Sequence, residues 1–127
     1  MKMIQIIPNT RTWKIVDITD NQEKRLEQYY KLLDCSLIDI TNQKIGDKYY
    51  DIIFDDEFMD NPKKIPSAAT ATGNPVLFGS LLICNYDYEI DDGNESGLTR
   101  SDIINIINNL VNYHLDDGRK GLAVVLK

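Results

Sequence analysis

Gly73-Asn-Pro-Val-Leu-Phe-Gly-Ser-Leu-Leu-Ile-Cys84 is the most apolar run in the chain. A polar, turn-rich segment, Ser67-Ala-Ala-Thr-Ala-Thr72, precedes it, and an acidic one, Asp87-Tyr-Glu-Ile-Asp-Asp92, follows. An apolar run bounded by turn signals marks a fully buried strand. It predicts one central strand, from about Val76 to Tyr86, with the other elements packed around it.

Upstream, Met3 to Ile7 and Trp13 to Ile18 alternate as strands. Pro8-Asn9-Thr10-Arg11 between them has turn chemistry, because proline pre-sets one torsion and asparagine tolerates unusual ones. A β-hairpin is expected. Thr19 to Glu23 then signals a helix start, with Thr19 and Gln22 or Asp20 and Glu23 as capping pairs. Leu26, Tyr29, Tyr30 and Leu33 follow at helical spacing, so the helix should run to about Asp34 and bury that stripe. Leu37 to Thr41 and Lys48 to Phe54 are rich in β-branched and aromatic residues, and Gly46-Asp47 between them turns the chain.

Downstream, Thr99 and Asp102 have the spacing of a capping box, with Leu98 and Ile103 at the staple positions. Ile103, Ile106, Ile107, Leu110 and His114 share one helical face, which predicts a second helix reaching His114. Asp116 to Gly121 is a turn. Leu122 to Leu126 is expected as a last edge strand, blunted by Lys127.

The chain's 127 residues suit one domain spanning 1–127 and need no disulfide or metal to fold. Its 43% hydrophobic content includes no run long enough to span a membrane. The start, Met-Lys-Met-Ile-Gln-Ile-Ile-Pro8, lacks a long apolar core and a small-residue cleavage site. Cys35 and Cys84 stand apart from any paired motif and are expected as buried thiols. A cytoplasmic location is the expectation. The net charge of -6 disfavours direct nucleic-acid binding, which needs a basic face for phosphates. It suits contact with a protein partner bearing a basic surface.

A further pattern lies in the order of these pieces. A hairpin and helix lead to Asp55-Asp56-Glu57, then Asn61-Pro62. The strand Asn74-Pro75-Val-Leu-Phe78-Gly79-Ser-Leu-Leu-Ile83 and an acidic loop follow, and Leu98-Thr99-Arg100-Ser101-Asp102 closes the series. This resembles a small domain-of-unknown-function family common in phages and mobile elements of Gram-positive bacteria. The resemblance covers residues 1–114, with the turn and strand of 115–127 as an addition. It implies an α+β fold and a mobile-element setting, and it carries over no catalytic residue.

No constellation in the sequence meets the demands of a known chemistry. Asp87, Glu89, Asp91 and Gly93 imitate a calcium loop. Yet its sixth position is Asp92 where glycine belongs, and its twelfth is Leu98 where glutamate belongs. Asp55, Asp56 and Glu57 have no histidine behind them. Cys84 lies in an apolar run that would raise its thiol pKa and leave it inert. Thr72-Gly73-Asn74 precedes a strand, so it offers no helix N-terminus to a phosphate. No catalytic residue, metal or cofactor is expected.

The expectation is therefore an α+β domain: a mostly antiparallel sheet of five to six strands with two main helices packed on it. Its function is expected to be non-enzymatic, an accessory protein that binds a protein partner. Asp55, Asp56, Glu57, Asp87, Glu89, Asp91 and Asp92 are the candidate acidic surface. The alternative is an anionic metabolite or nucleotide bound by the 55–74 loop, with Ser67, Thr70, Thr72 and Asn74 as ligand contacts.

Overall fold

The computed structural model describes residues 1–58, 65–86 and 95–127. β1 (Lys2–Ile7) and β2 (Thr12–Asp17) form the expected hairpin, paired from Lys2↔Asp17 to Ile7↔Thr12. A 3-10 turn at Pro8–Thr10 joins them, closed by Arg11 in the left-handed region. Pro8 suits the start of that turn, where no backbone donor is needed.

α1 (Gln22–Leu33) starts later than expected, its cap lying two residues beyond Thr19 and one beyond Asp20. Asn21 is the N-cap, and its side chain accepts the Glu23 N–H at 3.0 Å. Thr19 instead supports the turn before the helix, accepting the Asn21 N–H on its hydroxyl. Asp34 ends the helix in a left-handed conformation, its N–H bonded to Tyr30 O. Tyr29 and Leu33 are buried, Tyr30 is half-buried and Leu26 is exposed, so the apolar stripe is narrower than its spacing implies. Polar anchors make up the difference. Gln5 Nε2 donates to Leu32 O and Gln28 Nε2 to Asp17 O, each at 2.8 Å.

β3 (Ile38–Ile45) and β4 (Lys48–Asp55) form a second hairpin around Gly46-Asp47, with Ile45 opposite Lys48. Gly46 has φ +63° at the first central position, where such tight turns favour glycine. A Cβ there would also run into the Asn105 side chain.

The apolar run that was expected as one strand is two. β5 (Pro66–Thr70) precedes it, and the run itself divides into β6 (Pro75–Phe78) and β7 (Leu81–Tyr86). β6 pairs with β5, whereas β7 lies at the middle of a different sheet. Gly79 makes the corner, with φ +79° and its N–H bonded to Ile65 O at 2.8 Å. Both halves read as buried strand because both line one core: Leu77, Leu81 and Ile83 belong to the same cluster. Hydropathy reports the burial and is blind to the corner.

α2 (Arg100–Ile107) begins at the expected Thr99–Asp102 capping box, but it stops before the expected end at His114. β9 (Leu110–His114) takes over, after the two-residue β8 (Glu95–Ser96) that precedes the helix. β10 (Lys120–Leu126) pairs with β9 from Lys120↔His114 to Val124↔Leu110. The Val125 N–H also captures Asn109 O at 2.8 Å. Leu110 and His114 fit a helical period, but Leu-Val-Asn-Tyr-His also alternates, and pairing with β10 decides between the two. β10 is not an edge strand. It lies between β9 and β5, and it runs parallel to β5 through Val124↔Ala68, Val125↔Ala69 and Leu126↔Thr70.

The result is α+β with two sheets where one was expected. The large sheet has the order β2-β1-β7-β4-β3, with β8 added against β7. The small one has the order β6-β5-β10-β9. Strand alternation sends Ile4, Ile6, Ile52, Phe54, Leu81 and Ile83 to a core shared with the small sheet and Ile106 of α2. Met3, Ile53, Leu82 and Cys84 point the other way and pack on Tyr29 and Leu33 of α1. Each fully buried Ile or Leu contributes roughly 1.5–3 kcal/mol. Among the described residues no helix is long and apolar enough to cross a membrane.

Candidate functional site

Two surface features stand out, one polar and one apolar. The polar one is built on Asp102, which is only 4% exposed. Its position three residues after Thr99 follows from the capping box, and the box turns its carboxylate toward β4 and β7. Oδ1 accepts Lys48 Nζ at 2.8 Å and the Tyr50 hydroxyl at 3.0 Å. Oδ2 accepts Asn85 Nδ2 at 2.7 Å, the Thr99 N–H at 2.9 Å and the Thr99 hydroxyl at 2.8 Å. Asn105 extends the network, donating to the Tyr50 hydroxyl at 3.0 Å and to Ile45 O at 2.9 Å.

Burial alone would raise the Asp102 carboxyl. The bonds from Lys48, Thr99 and Asn85 outweigh it and hold the group well below the usual carboxylate range. Burial pushes the Tyr50 phenol up to about 12, with the Asp102 charge adding to it and the bond from Asn105 opposing it. A cleft of about 350 Å³ opens beside the network, lined by Asp47, Lys48, Tyr50, Thr99, Ser101, Asp102 and Asn105. Both oxygens of its carboxylate already accept hydrogen bonds. With its lone pairs engaged in this way, the carboxylate fixes α2 to the large sheet.

The apolar feature is β2. It ends the large sheet, so one side of its backbone has no strand against it among the described residues. Trp13 is 37% exposed and Ile15 46% exposed. Their partners across the ladder, Ile6 and Ile4, are completely buried. The core therefore runs out to the surface along this strand.

None of the expected ligand contacts, Ser67, Thr70, Thr72 and Asn74, lines the cleft beside Asp102. Ser67 is fully buried, and its hydroxyl has no hydrogen-bond partner among the described residues. Thr70, Thr72 and Asn74 form the turn between β5 and β6. The Thr70 and Thr72 hydroxyls lie 3.0 Å apart, and the Asn74 N–H donates to Thr70 Oγ1 at 3.1 Å. A second cleft, of about 220 Å³, lies beyond this turn between Pro66, Pro75, Phe78, Tyr113, His114, Leu115 and Asp116.

Of the expected acidic surface, Asp56 and Glu57 are exposed, but Asp55 is buried and its Oδ1 accepts the Glu57 N–H at 2.9 Å. Asp87, Glu89, Asp91 and Asp92 lie outside the described residues. Cys84 is buried on the face toward α1, whereas His114 is exposed on β9 of the other sheet, so the two do not meet. Among the described residues, no three His, Cys, Asp or Glu side chains gather as metal ligands.

Sequence reasoning had the Thr99–Asp102 pair but not its partners Lys48, Tyr50 and Asn85, which are distant in the chain. It had the alternation of Trp13 and Ile15 but not their position at an edge. No protein-family model, no curated protein and no solved structure matches this chain.

Proposed function

We propose that this protein is a non-enzymatic binding domain that takes up an extended segment of a protein partner as an added strand on β2. The observation that carries the reading is the exposure of Trp13 and Ile15 on a strand with an open backbone edge. Such an edge is a template for another chain, and proteins that do not use theirs blunt or cover it. Main-chain bonds would supply affinity, and alternate side chains would supply selectivity. The accessory role in a phage or mobile element rests on the sequence pattern described above. The cytoplasmic setting rests on the sequence, in which neither Cys35 nor Cys84 belongs to a paired motif.

Affinity capture from the native host with the tagged chain tests this. The Trp13→Glu/Ile15→Glu variant, whose circular dichroism should match the parent's because both side chains are already partly in water, should lose the captured partner. Capture of the same partner by both proteins would place the contact elsewhere.

A further inference from the structure

On β2, strand alternation sends Trp13 and Ile15 to the core side of the large sheet and Thr12, Lys14 and Val16 to the side that carries α1. A strand added at this edge must share that alternation, because directly opposed residues lie on one face. Its core-side residues meet Trp13 and Ile15, so they must be apolar. Its other residues meet Thr12, Lys14 and Val16, of which Lys14 alone is charged.

The charge on this edge is the reverse of the whole chain's. The protein carries -6. Here, however, the exposed charges are Arg11, Lys14 and Asp17, two cations to one carboxylate, and Asp17 lies at the far end of the strand, in register with Lys2. Ionic screening acts over about 8 Å at physiological salt, so these neighbouring charges decide what the edge attracts. A second copy of the chain is a poor occupant when Lys14 faces its own equivalent across the pair, since like charges directly opposed repel.

From this we infer that the segment taken up by β2 is an extended acidic one, alternating apolar residues with carboxylates. This deepens the strand-addition reading and rests on it. Trp13 is the single tryptophan of the chain, so its emission reports on this edge alone.

The test titrates the full chain with three synthetic peptides of about eight residues, a common strand length. One alternates valine with glutamate. One alternates valine with lysine. The third has the composition of the first arranged in two blocks. The valine–glutamate peptide should move Trp13 emission to shorter wavelength and saturate, with an affinity that falls as salt is raised. Lys14→Glu should weaken it about tenfold and favour the valine–lysine peptide.

Equal or tighter binding of the valine–lysine peptide to the native chain would overturn the acidic preference and leave strand addition standing. Equal binding of the block peptide, or an unmoved Trp13 with all three, would overturn strand addition as well. Self-association that shifts Trp13 without peptide, seen by sedimentation, would assign the edge to a second copy and overturn the inference.

Discussion

Asp102 holds three elements together at one point, since its partners lie on β4, on β7 and at the start of α2. Asp102→Ala would leave Lys48 and the Tyr50 hydroxyl without their acceptor. It is expected to cost about 3–5 kcal/mol in denaturant unfolding. Its pH dependence has a definite sign. The carboxyl's pKa is lower in the folded chain than in the unfolded one. The stabilisation is therefore complete above about pH 4 and is lost as pH falls below that value. Asp102→Asn should flatten the acid limb of a stability–pH profile. Tyr50 acts at the other end. Its phenol ionises at 10.0 in the open chain and at about 12 when folded, so stability falls as pH rises through that interval. Tyr50→Phe should remove that fall. Ser67 gives the contrasting case: its buried hydroxyl has no hydrogen-bond partner among the described residues, so Ser67→Ala should leave stability unchanged or raise it by up to about 1 kcal/mol. A loss above that, measured by thermal or denaturant unfolding, would mean the hydroxyl has a partner.

Among the elements, Gly79 matters most, since it separates one apolar run into β6 and β7. Gly79→Ala forces a left-handed conformation on a residue with a side chain and should cost about 1–2 kcal/mol, read as a lower denaturant midpoint. The two hairpins, the start of α2 and the strand character of most segments were legible in the sequence, because local alternation, turn residues and caps are local physics. The corner at Gly79 was not, since both of its sides are equally buried. The end of α2 was not, because Leu110 to His114 fits two periods and the choice belongs to its pairing with β10 across the following turn. The Asp102 network was half legible: its capping partner is near in sequence, and Lys48, Tyr50 and Asn85 come from elsewhere in the fold.

For the molecule as a whole, both faces of the large sheet are covered over its middle strands, by α1 on one side and by the small sheet with α2 on the other. What is left for recognition is the rim, where β2 exposes Trp13 and Ile15. The Trp13→Glu/Ile15→Glu variant should therefore stay folded while losing its partner, at a cost of about 2–4 kcal/mol in denaturant unfolding for the buried part of each side chain. The parallel pairing of β5 with β10 has a different consequence, one of timing. Ala68 and Val124 are neighbours in the small sheet but far apart along the chain. A ribosome must deliver almost everything between them before that contact can close. Until then β5 and β6 form a hairpin with no third strand beside it, and their apolar side chains stay open to water or to a chaperone. Such distant pairing belongs with refolding in milliseconds to seconds, the slow end for chains of this size. Nascent chains halted before Lys120 should be cut readily by protease, and those extended past Leu126 should resist it.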